Sequence, residues 1–191
     1  MVSTIDVPNS DFSRLLHPYN ATLITSRGRS GRANALAIAW IIPISLNPAS
    51  LVFAIRPERH SYKLLEETGE FVVNIPSDNA DLLKKLMITA KHFPPRVNEL
   101  DEAGLTSIPS RKIRPPRIEE CKAHFECKVD WMKDVGDHLL VVGNVVAVSI
   151  DGDCVTENDE LIIDKLRPVH YLGKFYRTIF IGVGEIHDVE R

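Results

Sequence analysis

Residues 31–40 read GRANALAIAW, and small side chains recur there at every second position. The small residues at these alternating positions are Ala33, Ala35, Ala37 and Ala39. Because successive side chains of a β-strand point to opposite faces, one face of a strand here would be nearly bare. A flat ring system can lie on such a face and form hydrogen bonds with main-chain groups. A helix packed tightly against the same face is the alternative.

Familiar catalytic motifs are missing from the chain. Gly182-Val183-Gly184 is not followed by the third glycine of a dinucleotide-binding loop, and no P-loop, HExxH motif or GxSxG motif occurs. The seven histidines are scattered without the spacing of metal ligands. If the protein is an enzyme, we therefore expect a bound organic cofactor to supply the difficult chemistry.

The stretch from 91 to 117 is rich in proline and has little periodicity, so we expect a long excursion from the core. Four basic residues cluster near its end: Arg111, Lys112, Arg114 and Arg117. A solvated loop is one interpretation of this cluster, and contact with a phosphate-bearing ligand is the other.

These candidate residues depend on the strands and helices that position them. Two β-prone runs around a Gly-rich polar turn predict a hairpin, and short apolar runs bounded by Pro or Gly predict further strands. Apolar residues at helical spacing predict two helices, of which the first ends at Gly69. The predicted strands lie at 21–26, 33–42, 51–55, 71–75, 161–163 and 178–183, and the helices at 61–68 and 78–90.

Apolar and polar residues alternate from Cys121 to Trp131, which predicts a half-buried antiparallel strand. Cys121 and Cys127 then point into the core as small packed side chains, and His124 faces solvent. The almost wholly apolar run from Leu139 to Ile150 predicts a strand near the middle of the sheet.

The order of these elements predicts the fold class. Strands dominate, two helices come early, and no regular βαβ alternation occurs. The sequence therefore predicts a mainly β fold, an antiparallel β-barrel with helical decorations. A length of 191 residues suits a single domain over 1–191, with the excursion at 91–117 as a decoration.

Composition and charge exclude several classes of protein. A hydrophobic fraction of 44% excludes a disordered chain, and the longest apolar run, residues 35–44, is too short to cross a membrane. The formal net charge of -3 disfavours general nucleic-acid binding. Three cysteines without a CxxC pair fit a reducing compartment, and no signal segment opens the chain. We expect a cytoplasmic protein that binds no nucleic acid and no membrane.

Six short segments follow one another along the chain: NALAIAW at 34–40, SLNP at 45–48, RHSY at 59–62, GEFVVNIP at 69–76, GDH at 136–138 and YLG at 171–173. In this order and spacing, they resemble the flavin reductase-like family of the FMN-binding split-barrel superfamily, particularly its flavoredoxin-type branch. Each segment alone is a weak signal, but the ordered set over about residues 17–180 is a strong one.

The resemblance implies a Greek-key antiparallel split barrel that forms a homodimer and holds FMN noncovalently near the dimer interface. It also implies that NADH or NADPH passes hydride to the flavin, which passes electrons onward. The residues that would line the isoalloxazine ring, largely through main-chain groups, are Asn34, Ala35, Leu36 and Ala37. Many relatives carry a hydroxyl residue where this chain has Ala37 or Ala39, so side-chain hydrogen bonds to the flavin would be missing.

On the same resemblance, Ser50, Arg59 and Ser61 are the candidates for the ribityl-phosphate end of FMN, with His60 beside them. A phosphate dianion favours an arginine fork, hydroxyl groups and the N-terminus of a helix, and residues 59–61 precede a predicted helix. An ordinary surface arginine at position 59 and a plain helix cap at position 61 are the alternatives.

His138 follows Gly136-Asp137, and in related reductases a histidine in this kind of segment lies near the flavin and the nicotinamide. A turn histidine bonded to the backbone is the alternative. His60 is the second histidine candidate. Hydride transfer itself requires close stacking of the two rings, about 3–3.5 Å apart, rather than a general acid or base.

Three functions remain open at this point. The first is an oxidoreductase that transfers hydride from NADH or NADPH to flavin or to a flavin-linked acceptor. The second is a flavin-binding electron carrier reduced by a partner protein, without its own nicotinamide site. The third is a ligand-binding barrel with no redox role. Because residues 33–40 and 139–148 contain more apolar surface than one sheet face requires, we also predict a two-fold dimer next to the cofactor.

Overall fold

The computed structural model describes residue 4 and residues 6–174 and 178–184. Its strands are β1 (Tyr19–Asn20), β2 (Thr22–Arg27), β3 (Ala33–Ile38), β4 (Ile41–Leu46), β5 (Ala49–Ile55), β6 (Glu70–Ile75), β7 (Ser107–Ile108), β8 (Arg117–Ile118), β9 (Ala123–Val135), β10 (His138–Ile150), β11 (His170–Lys174) and β12 (Thr178–Ile181). Its helices are α1 (His60–Thr68), α2 (Ala80–Thr89), α3 (Glu99–Glu102) and α4 (Ile163–Leu166), with short 3-10 segments at Asn9–Leu16 and Gly152–Cys154.

The main sheet has seven antiparallel strands in the order β3-β2-β6-β9-β10-β5-β4. Its two edge strands, β3 and β4, follow one another along the chain and are joined only by Ala39 and Trp40. A link this short requires the two edges to lie close together, so the sheet curls round into a barrel. The N–H of Ala54 donates to the carbonyl of Trp40 at 3.0 Å and ties this corner to β5.

One apolar cluster fills the barrel, with Phe53 and Phe71 in edge-to-face contact at its centre. Helix α1 connects β5 to β6 across the end of the barrel and inserts Leu65 into this cluster. The helix ends at Gly69, whose φ of 63° lies in the left-handed region that glycine adopts readily. Because α1 begins at His60, only a few residues after β5 ends at Ile55, the N-terminus of α1 lies near the end of β5.

A second apolar cluster covers the outer face of β2 and β3. It includes Leu82 and Leu86 of α2, Leu100 of α3 and Ala35 of β3. Asn79 caps α2 by accepting hydrogen bonds from the N–H groups of the first turn. The predicted amphipathic helix thus packs against the barrel through its apolar face.

Most predicted elements occur within two residues of their expected bounds, but the strand predicted at 33–42 is divided. It ends at Ile38, and β4 begins a separate strand at Ile41. Pro43 is tolerated within β4 because this strand lies at the edge of the sheet, where a missing N–H breaks no ladder. The division produces the corner at Ala39 and Trp40.

Two sequence predictions are wrong. His124 was expected to face solvent, but it is only 4% exposed and its pKa is lowered to about 4, mainly by burial. The 91–117 excursion covers this end of β9: the carboxylate of Glu126 accepts hydrogen bonds from the N–H groups of Arg111 and Lys112. The strand predicted at 161–163 is absent as well, because Leu161 forms a single bridge and α4 begins at Ile163.

The observed architecture confirms the mainly β barrel with helical decorations. The prediction of one domain over 1–191 includes residues outside the described ranges and stays a prediction.

Candidate functional site

A cavity of about 200 Å³ opens at the corner where β3 passes into β4. Its walls combine small side chains at the end of β3 and in β5 with two aromatic rings and two guanidinium groups. The residues that carry these features are Ala37, Ala39, Ala54, Trp40, His138, Arg56 and Arg59. A second cavity, of about 160 Å³, lies between β3, α2 and β12, and Ala37 and Ala39 border it too. The end of β3 therefore has open space next to it on more than one side.

The small-residue face of β3 divides into a covered part and an open part. Ala35 is 0% exposed and packs, like the partly buried Ala33, against α2 and α3. Helix packing thus accounts for these two alanines. Only Ala37 and Ala39 border the cavities. Leu36 lines the cavity wall, although its side chain belongs mainly to the barrel core.

Asn34 and Ser61 are not among the cavity-lining residues, and their side chains are hydrogen-bonded to each other. The Nδ2 of Asn34 donates to the Oγ of Ser61 at 3.0 Å, and the Oδ1 of Asn34 accepts from the N–H of Glu99 at 3.3 Å. Both side chains are buried. Ser61 is not the helix cap, because the N-cap residue of α1 is Arg59, which makes no side-chain cap bond. This pair joins β3, α1 and α3.

Arg59 holds the beginning of α1 against the end of α2. Its guanidinium donates to the carbonyls of Ala90 at 2.9 Å and Lys91 at 2.7 Å. The side chain is half-buried and lines the cavity, so it is not an ordinary surface arginine. Arg56 lies beside it at the end of β5 and forms an ion pair of 3.4 Å with Asp137. Two guanidinium groups thus meet at one end of the cavity.

His138 is fixed in the wall of the cavity by its two neighbours. Its Nδ1 donates to the Oδ1 of Asp137 at 2.7 Å, because an ionised carboxylate only accepts hydrogen bonds. This bond is the main cause that lowers the pKa of Asp137. The imidazole packs against Trp40 with ring centroids 4.9 Å apart. His138 is therefore held by a side chain, not by the backbone contact of an ordinary turn histidine.

The structure does not bring His60 or Ser50 into the cavity. His60 begins α1, and its buried Nδ1 has no hydrogen-bond partner among the described residues. Burial is the main cause that lowers its pKa. Ser50 pairs with Asn144, whereas Ile55 pairs with Leu139 near the cavity. Five residues of strand place Ser50 roughly 17 Å from that end, so it does not share this cavity with Arg59, and its role toward a ligand stays a prediction.

Sequence reasoning missed three cavity residues. None of Trp40, Arg56 and Ala54 was singled out from the sequence as a site residue. The division between β3 and β4 places Trp40 on the wall. Arg56 stands three residues before Arg59, and this spacing between two arginines was the available signal.

Comparison with known proteins identifies the family and the fold of the chain. The family model of the flavin reductase like domain matches residues 12–179. An uncharacterized protein of Pyrococcus abyssi is 38% identical over 134 residues, which cover 70% of this chain and 75% of that protein.

Two solved structures show the same fold. The flavoredoxin of Desulfovibrio vulgaris superposes with a TM-score of 0.84 at 22% identity and covers 99% of this chain and 97% of its own. The FMN-binding protein of Thermus thermophilus superposes with a TM-score of 0.78 at 20% identity, covering 100% and 99%. The predicted FMN-binding split-barrel fold is confirmed. The chain belongs to the flavin reductase-like family.

Proposed function

We propose that this protein binds FMN noncovalently at the cavity beside Arg59 and His138 and transfers hydride from NADH or NADPH to flavin or to a flavin-linked acceptor. One observation carries the proposal: two guanidinium groups, a helix N-terminus and the bare end of β3 meet at a single cavity. The fold of FMN-binding split barrels supports the choice of cofactor.

The residues present fit FMN at both ends of the molecule. Arg56 and Arg59 supply the charge that a phosphate dianion needs, and the first turn of α1 adds main-chain N–H groups. Ala37 and Ala39 leave room for a flat ring to approach the backbone. Because β3 is an edge strand, part of its N–H and C=O groups point away from β2 and are available to a ring carbonyl or nitrogen.

The remaining contacts of Asn34, Ala35, Leu36 and Ser61 with a flavin stay predictions. Their side chains are buried, so any contact from them would use main-chain groups or require a local movement. Asn34 and Ser61 instead connect β3 with α1 through the hydrogen bond between them.

Bound FMN would supply the chemistry of hydride acceptance and electron delivery. The chain's own residues hold it, and exclude water from it. Arg59 and Arg56 anchor the anionic end, while Trp40 and His138 cover the cavity with two packed rings. Asp137 fixes the orientation of His138 through Nδ1, which leaves Nε2 for a ligand. His138 is then placed to orient a polar group of a stacked nicotinamide.

Anaerobic mixing of the FMN-loaded protein with NADH and, separately, NADPH tests the reaction. We expect the visible absorption of the bound flavin to bleach with at least one of the two nucleotides. A flavin that is bound but bleaches only when a reducing protein is added would instead establish the electron-carrier alternative. A protein that binds no flavin would overturn both.

We also propose that a second copy of the chain covers the C-terminal end of β4 and the end of β10. Leu46 is 92% exposed and Val148 is 56% exposed. Burial of such a surface stabilises an obligate dimer. Light scattering on the FMN-loaded protein should give twice the chain mass of 21.5 kDa. A mass of one chain would contradict the dimer.

The cytoplasm is the location we propose. All three cysteines are buried and unpaired, which is typical of proteins in a reducing compartment. Among the described residues, no helix has the length and apolar character that a membrane crossing needs.

A further inference from the structure

A larger cavity, of about 580 Å³, lies next to the candidate flavin site. The 3-10 segment Asn9–Leu16 and strand β1 form one side of it, and the outer faces of β4, β5 and β10 form the other. Its volume falls in the range of small-molecule sites in proteins, about 300–1,000 Å³. Neither the flavin contacts nor the hydride transfer proposed above uses this space.

The lining of this cavity is apolar and aromatic. Phe12, Tyr19 and Trp40 contribute rings, and Leu16 and Leu140 contribute aliphatic side chains. None of the lining residues is Lys, Arg, Asp or Glu. Such a site disfavours nucleotides and other anions and suits a flat, uncharged molecule.

The two cavities share a wall. Ala39, Trp40 and Ala54 line both of them. The indole of Trp40 lies between them: its centroid is 4.9 Å from the ring of His138 on one side and 6.3 Å from the ring of Tyr19 on the other. A molecule in the larger cavity would therefore lie within one side chain of the flavin site.

Two polar side chains meet at one place in this apolar lining. Asn20 and His170 are cross-strand partners of β1 and β11, and both line the cavity. The amide of Asn20 also donates to the carbonyl of Ile41 at 3.3 Å, which fixes its position. The ring of His170 has no hydrogen-bond partner among the described residues. The amide of Asn20 and the ring of His170 can both donate a hydrogen bond at this place. They therefore suit an apolar ligand that carries an accepting oxygen.

We propose that this cavity binds the molecule to which the flavin site delivers electrons, and that this acceptor is flat, uncharged and mainly apolar, with a carbonyl-type oxygen held by Asn20 and His170. The assignment as acceptor rests on the proposed function, whereas the binding itself does not. A side chain from a second copy is the competing occupant. An apolar side chain from a second copy would remove water from Asn20 and His170 without supplying new hydrogen bonds, which costs free energy.

Menadione, a flat apolar quinone, is the probe for this site. Calorimetric titration of the oxidised, FMN-loaded protein should show menadione binding at one site per chain. Val52→Phe fills the cavity from β5 and should weaken that binding by about tenfold or more. Leu161→Phe places the same ring at an exposed position outside the cavity and should leave menadione binding intact.

His170→Phe provides a second variant in case Val52→Phe does not fold. It should weaken menadione binding but not the binding of methylnaphthalene, a hydrocarbon of the same shape without the oxygens. Equal binding of menadione by wild type and both cavity variants would overturn the proposal. It would also be overturned if wild type binds no menadione while Val52→Phe halves the particle mass, because a second copy would then fill the cavity.

Retention of FMN, measured from visible absorption in each variant, separates this proposal from the proposed function. Loss of the cavity site leaves the flavin spectrum unchanged. If the protein holds no FMN but still binds menadione through Val52 and His170, the flavin assignment fails while the cavity remains a ligand site.

Discussion

The side-chain amide of Asn34 donates to the hydroxyl of Ser61 at 3.0 Å, and this bond joins β3 to the first turn of α1. Both residues belong to segments that resemble the flavin reductase-like family. In this structure they contact each other and connect the edge strand of the barrel with the helix.

The hydrogen bond can be removed by substituting either residue, and we expect the two substitutions to destabilise the protein by different amounts. Asn34→Ala also leaves the buried N–H of Glu99 without an acceptor, so we expect a loss of about 2–3 kcal/mol in the free energy of unfolding. Ser61→Ala leaves one buried donor, the Nδ2 of Asn34, without its acceptor and should cost about 1–2 kcal/mol. Urea unfolding of both single variants and the double variant checks this. Strict additivity would show that the two side chains are not coupled.

Glu99 should make stability fall as pH rises. Burial raises its pKa to about 7. The residue is only 5% exposed, and its Oε2 has no hydrogen-bond partner within the described part of the chain. Because the folded pKa lies above the ordinary value of 4.5, the folded state binds the proton more tightly. The contribution of Glu99 to the free energy of unfolding is therefore largest below pH 4.5. It is lost as the pH rises from 4.5 to about 7. The full loss is on the order of 3 kcal/mol.

Glu99→Gln should remove that dependence and make the protein more stable than wild type above pH 7. Thermal unfolding across this pH range is the measurement. Glu102→Gln, on the exposed side of the same helix, is the control and should keep the wild-type profile. If the unfolding temperature of Glu99→Gln depends on pH as that of wild type does, Glu99 does not cause the loss of stability.

Gly143 is required by close packing in the barrel. A Cβ built there would approach the ring of Phe71 to 2.5 Å, and that ring sits at the centre of the core. Gly143→Ala should therefore cost about 1–3 kcal/mol through overpacking. Gly152→Ala is the matched control, because no atom of the residues that the structure describes lies within 4 Å of its added Cβ. Denaturant unfolding should give a lower free energy of unfolding for Gly143→Ala than for Gly152→Ala. Equal values would mean that the ring of Phe71 can move aside without cost.

The sequence predicted the barrel well because its strands carry their own local signals. The apolar run of β10 and the turn at Gly69 depend on neighbouring residues only. The errors arise from long-range packing: alternation in β9 failed at His124 and Glu126 because a distant excursion covers that face. Short elements such as β1 and β11 contain too few residues to give a pattern.

Only those residues of the candidate site that belong to short local motifs could be predicted from the sequence. Arg59 and His138 were found from short motifs, and both line the cavity. Trp40 and Arg56 were missed because their roles depend on how β3, β5 and β10 come together at the barrel corner. From the sequence, Asn34 was assigned to the flavin ring and Ser61 to the phosphate end, and only the structure shows that the two side chains are hydrogen-bonded to each other.

Titration with FMN and with riboflavin, which lacks the phosphate, tests the central claim most directly. Wild type should bind one FMN per chain, and Arg59→Ala should weaken FMN by about tenfold or more while weakening riboflavin much less. Arg111→Ala, in the basic cluster of the excursion, is the control and should leave both affinities unchanged. No FMN binding by wild type, or equal losses of FMN and riboflavin in Arg59→Ala, would contradict the proposed site.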